Sequence, residues 1–129
     1  MTSQPYVIDT WAWVEYFRGS EVGRRAKDHI EKCLNFTPTI VIAEMKRKFV
    51  EWGRSDFEEK LEFMRRHSTL VPLDESAATL AGEIRANPPV KGMGIVDCIL
   101  LAASRLYGAK IVTGDPHFRM LTQVDYIGD

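Results

Sequence analysis

Short apolar runs alternate along the chain with longer stretches in which apolar residues recur three and four positions apart. The short runs suit buried strands and the longer stretches suit amphipathic helices. Tyr6-Val7-Ile8 predicts a strand, and Thr10 to Arg18 a helix directly after it. Ser20 is placed to cap a second helix with Val22, Ala26, Ile30 and Cys33 on one face. Asn35 to Pro38 reads as a brief strand. Thr39 opens a long helix with the core stripe Ile42, Met45, Phe49 and Trp52, ended by Gly53. Ser55-Asp-Phe-Glu58 has the form of a capping box, and Phe57, Leu61 and Met64 follow on one face. Thr69 to Leu73 is a third expected strand, and Asp74 caps a helix with Ala77, Leu80, Ala81 and Ile84 inward. The prolines and glycines of Asn87 to Gly94 make that segment a loop. Ile95 to Tyr107 is an apolar helix stopped by Gly108. Lys110 to Thr113, Pro116 to Leu121 and Val124 to Ile127 follow as strand, short helix and edge strand. Strands alternating with helices predict an α/β fold with a largely parallel sheet.

The length of 129 residues fits one domain over positions 1–129, and no repeat, low-complexity tract or linker divides it. With 17 basic and 18 acidic side chains the net charge is −1, which excludes a protein that coats nucleic acid by charge alone. A local basic rim is still compatible with that balance. No apolar run reaches the roughly 20 residues of a membrane span, and the first residues lack the features of a secretory signal. Cys33 and Cys98 match no zinc or redox spacing and read as reduced core thiols. Together these features predict a cytoplasmic protein.

Four carboxylates stand where solvated acids are not expected. Asp97 lies in Gly94-Ile-Val-Asp-Cys-Ile-Leu-Leu-Ala-Ala-Ser104, a helix apolar on almost every side. It either complements the helix dipole from the first turn or is a buried acid that needs a partner or a metal. Asp9 follows the first strand and Asp115 the fourth. Each has the position of a helix cap, and each also stands at a strand end, where open α/β sheets bind ligands. Glu44 sits one turn into its helix, beside the core position Met45. Four convergent carboxylates would repel one another without a cation, and hard oxygen ligands suit Mg²⁺ or Mn²⁺ rather than zinc. Their repulsion should raise at least one pKa in the metal-free protein and make it less stable near pH 7 than near pH 5.

Asp9-Thr10 after a short strand, Glu44, Asp97 in its apolar helix and Thr113-Gly-Asp-Pro-His-Phe118 together resemble the PIN domain, most closely the VapC-type toxin ribonucleases. The resemblance runs over essentially the whole chain, and Gly94 to Phe118 is its most specific part. It implies a three-layer α/β/α domain with a five-stranded parallel sheet ordered 3-2-1-4-5, which sets Asp9 beside Asp115. It implies that Asp9, Glu44, Asp97 and Asp115 form a catalytic acidic site for Mg²⁺ or Mn²⁺, with Thr10 and Thr113 as supporting hydroxyls. Trp11 is bulkier than is common in the family. The implied activity is endoribonucleolytic hydrolysis by metal-activated water, leaving 5′-phosphate and 3′-hydroxyl ends. The implied partners are an RNA substrate, a cognate antitoxin and a second copy of the chain. A non-toxin RNA-processing nuclease and a catalytically silent PIN-like binding module are the alternatives; the presence of all four acids weighs against the second.

Basic residues flank the acids: Lys46, Arg47 and Lys48 after Glu44, Arg18 at the end of the first helix, Lys91 in the glycine loop and Arg119 after Asp115. As a set they are candidate RNA-phosphate contacts, although each alone also suits a solvated helix face. Trp11, Trp13 and Phe118 suit either base stacking or the core. His29 and His67 lie in polar helix contexts, and His117 is near Asp115. A Rossmann-like phosphatase would need a second Asp where Trp11 stands, and a dinucleotide fold would need GxGxxG after the first strand.

Overall fold

The computed structural model describes residues 3–129. Five strands, Tyr6–Ile8 (β1), Asn35–Pro38 (β2), Thr69–Val71 (β3), Lys110–Thr113 (β4) and Val124–Tyr126 (β5), form one sheet in the order β3-β2-β1-β4-β5. Every pairing is parallel, and Ile8 stands opposite Val112. Successive strand residues point to opposite faces. Val7, Ile8, Ile111 and Val112 are all fully buried, so both faces of the sheet centre are covered. That is the three-layer arrangement, and it explains why the central strands are continuously apolar rather than alternating.

Among the described residues seven helices supply the layers: Thr10–Arg18 (α1), Glu21–Arg24 (α2), Lys27–Glu31 (α3), Thr39–Glu51 (α4), Phe57–His67 (α5), Glu75–Ala86 (α6) and Ile95–Tyr107 (α7). The α7 helix packs on β1, β2 and β4, and α6 lies along α7. Its segment Cys98 to Ser104 is buried without interruption, which matches the apolar character of that stretch on every side. Gly108 ends it at φ +59°. Asp74 caps α6 by accepting the Ala77 N–H at 2.9 Å. Trp13 and Phe118 are fully buried core residues, and the Trp13 indole N–H donates to Thr37 Oγ1 at 3.0 Å.

Several local expectations change. The helix expected from Ser20 through Cys33 is two short helices, parted at Arg25 and Ala26. Gly23, inside the first of them, lies against α1: a Cβ there would fall 2.0 Å from the Glu15 carbonyl oxygen. Cys33 lies beyond both and is half-buried. The capping box does not form; Asp56 takes the N-cap position without a side-chain bond to the first turn of α5, and its carboxylate pairs with Arg54 instead. The stripe of α4 is Val41, Met45 and Phe49, with Ile42 only partly buried. Trp52 has the angular position of a core residue but sits at the C-cap, past the body on which α4 packs, and is 49% exposed. Leu80 is half-buried on α6. The third strand stops at Val71, the last at Tyr126, and Pro116–Phe118 is a single 3-10 turn.

Candidate active site

The two central strands deliver the first acids. Asp9 directly follows β1 and Asp115 lies two residues past β4, so the parallel pairing of those strands puts both at one edge of the sheet. Asp9 does cap α1, accepting the Ala12 N–H at 2.8 Å. It is only 4% exposed. Burial, its first cause, pushes its carboxyl up to about 7; Asp115 and Glu44 push the same way, while the Thr113 hydroxyl and the Ala12 N–H oppose. Asp97, in the first turn of α7, is also raised, by burial first and then by Asp115. Burial therefore outweighs the mutual repulsion expected from the sequence. The most buried acid is Asp9 rather than Asp97, whose side chain is 17% exposed.

The hydroxyls have distinct tasks. Thr10 Oγ1 donates to Glu44 Oε1 at 2.6 Å, tying α1 to α4 and orienting the glutamate. Thr113 Oγ1, fully buried, accepts the Asp115 N–H at 2.9 Å. Between them, Gly114 has no room for a side chain, because a Cβ would lie 2.3 Å from the Trp11 ring. The bulky Trp11 is accommodated by that glycine, one residue before Asp115. His117 turns back over the acids, with Nδ1 3.4 Å from Asp97 and 3.6 Å from Asp115.

One pocket of about 410 Å³ gathers Asp9, Glu44, Asp97 and Asp115 with Thr10 and Trp11 on its walls. Arg18, Arg47, Lys48 and Trp52 also line it, with Arg18 paired to Glu15 at 3.1 Å and Arg47 to Glu51 at 2.9 Å. Of the basic candidates the structure brings Arg18, Arg47 and Lys48 to the pocket. Lys46 instead lies over the Phe57 ring at 4.8 Å, Arg119 over Tyr126 at 5.7 Å, and Lys91 is exposed in the loop before α7. Trp52 was not recognisable as a pocket residue, since its spacing along α4 is that of the core. The other histidines are engaged elsewhere: His29 pairs with Asp125 at 2.7 Å, and His67 stacks on Phe63.

A PIN domain family model matches residues 6–122. The chain belongs to the PIN domain family. No curated protein matches it in sequence. Among solved structures the PIN domain superposes on a toxin–antitoxin complex from Klebsiella pneumoniae with TM-score 0.78 at 15% identity, over 96% of this chain and 98% of that one. It is similar to VapC20 of Mycobacterium tuberculosis, a sarcin-ricin loop cleaving toxin, with TM-score 0.74 at 14% identity over 91% and 95% of the two chains. It is also similar to VapBC2 of Rickettsia felis bound to a DNA fragment from its promoter, with TM-score 0.73 at 16% identity over 95% and 97%. These likenesses establish the fold.

The donor set of this PIN domain fits a divalent cation. Four carboxylates line one pocket, and Asp9 is too buried to ionise easily without a counter-charge. Oxygen-rich sites of this kind favour Mg²⁺ or Mn²⁺.

Proposed function

We propose that this PIN domain is a Mg²⁺- or Mn²⁺-dependent endoribonuclease and the toxin of a toxin–antitoxin pair in the cytoplasm. The observation that carries the reading is the convergence of Asp9, Glu44, Asp97 and Asp115 in one pocket that Arg18, Arg47, Lys48 and Trp52 also line. Those four acids would hold the ion. When bound, it supplies a Lewis acid that acidifies water and neutralises the phosphate.

The chain's own groups do the remainder. Lys48 and Arg18 offer charge to the phosphates that flank the scissile one, which positions a strand without reading its sequence. Thr10 keeps Glu44 turned toward the other acids, and the Trp11 indole seated on Gly114 restricts how a nucleotide enters. Hydrolysis adds a water oxygen to phosphorus and breaks the bond to the 3′ oxygen, which takes up a proton. The products carry a 5′-phosphate and a 3′-hydroxyl. The similar structures that are toxin–antitoxin complexes support an antitoxin as partner, and a homodimer is the expected assembly.

Incubating the purified protein with structured RNAs in Mg²⁺, Mn²⁺ or EDTA tests the activity. Cleavage should require the ion and be abolished in a folded Asp97→Asn variant. Undiminished cleavage by that variant, or in excess EDTA, would overturn the assignment. Expression without the neighbouring open reading frame should slow growth. Harmless expression of a confirmed ribonuclease would replace the toxin role with RNA processing.

A further inference from the structure

His117 is the one histidine among the described residues that faces the acids, and no part of the reading above uses it. Its Nδ1 and one carboxylate oxygen each from Asp97 and Asp115 lie within 4.8 Å of one another. The separations of 3.4 and 3.6 Å from Nδ1 are too long for good hydrogen bonds. They are close to the spacing of atoms that share an ion: bonds of about 2.1 Å set neighbouring ligands ~3.0–3.4 Å apart in octahedral or tetrahedral geometry. The backbone reinforces the placement. The His117 N–H donates to Asp115 Oδ1 at 2.9 Å, so the 3-10 turn holds the imidazole and the carboxylate on the same side. The ring is half exposed, which leaves it free to close the remaining few tenths of an ångström.

We propose that His117 Nδ1 is a nitrogen ligand to the ion held by Asp97 and Asp115, and that it tilts the site from Mg²⁺ toward a first-row transition ion such as Mn²⁺. Mg²⁺ favours oxygen and keeps its waters, so an imidazole adds little to its binding; transition ions accept imidazole readily. The inference rests on the metal-site reading above and specifies which ion that site selects.

Mn²⁺ binding followed by electron paramagnetic resonance, and Mg²⁺ binding by calorimetry, decide it on the wild-type, His117→Ala, His117→Gln and Asp97→Asn proteins. Loss of a ligand should weaken Mn²⁺ binding about tenfold or more, since even outer partners of a metal site cost that much. Mg²⁺ affinity should change far less in both His117 variants, while Asp97→Asn should weaken both ions. The wild-type Mn²⁺ spin echo should carry ¹⁴N modulation from imidazole, and His117→Ala and His117→Gln should lack it. Equal losses for the two ions, or no loss and no ¹⁴N coupling, would overturn the proposal while leaving the acidic site intact. A wild-type protein that binds neither ion would instead overturn the metal-site reading. Should the variants fail to fold, the presence or absence of ¹⁴N modulation in the wild type decides alone.

Discussion

Asp9 shows how one side chain can serve two ends. It stabilises α1 as a cap, and the burial that accompanies this raises its carboxyl from the usual 3.8 to about 7. Between those values the folded protein keeps a proton that the unfolded chain has released. Stability from this group is therefore complete below about pH 4, is lost as pH rises, and levels off above about pH 7. The total loss is about 4 kcal/mol, of which about 2 kcal/mol falls between pH 5 and 7. Urea unfolding in EDTA should show that decline, and Asp9→Asn, which keeps an oxygen for the Ala12 N–H, should flatten it. Equal wild-type stability at pH 5 and 7 would contradict the burial argument. Trp52 carries a second expectation at this scale. An exposed ring on the pocket wall can stack a base, an interaction of about 1–3 kcal/mol, so Trp52→Ala should weaken RNA binding about tenfold without lowering the melting temperature. Asp9 and Asp97 were legible because acids beside apolar runs stand out. Trp52 was not, and for His117 the sequence showed its nearness to Asp115 but not to Asp97, because helical spacing does not reveal where the supporting body ends or how a turn folds back.

Among the elements, the contact between α1 and α2 is the tightest constraint. Gly23 lets the backbone of α2 approach the Glu15 carbonyl, and any side chain there must push the helices apart. Gly23→Ala should cost about 2 kcal/mol or more, read as a lower urea midpoint. An unchanged midpoint would mean that the helix pair relaxes freely. This is also where sequence reading met its limit. Val22, Ala26, Ile30 and Cys33 keep helical spacing, and that spacing does not reveal that the chain parts at Arg25 and Ala26 into two short helices. In contrast, α7 was legible nearly to its ends, since a long apolar run stopped by a glycine admits few other structures.

For the whole molecule, the strand order places the β1 and β4 ends together and so creates the site, and α4 and α7 bring in the remaining acids. An ion bound there would couple the site to global stability. Mg²⁺ at about 100 times its dissociation constant should stabilise the native protein by ~2.7 kcal/mol, and Asp97→Asn by much less. Thermal melts with and without Mg²⁺ measure this, and an equal response of both proteins would place the ion elsewhere. The architecture was readable from alternating strand and helix patterns, whereas the order of strands came only through family resemblance, because periodicity says nothing of which strands are neighbours.

The three tryptophans differ sharply in their surroundings: Trp13 is fully buried, Trp11 half-buried on Gly114, and Trp52 49% exposed. Their emission should therefore be layered by wavelength, with Trp13 to the blue and Trp52 to the red. Iodide should quench mainly the red component, and Trp52→Phe should remove most of what iodide reaches. Trp11 and Trp52 both line the pocket, so its occupancy becomes an optical signal that requires no label.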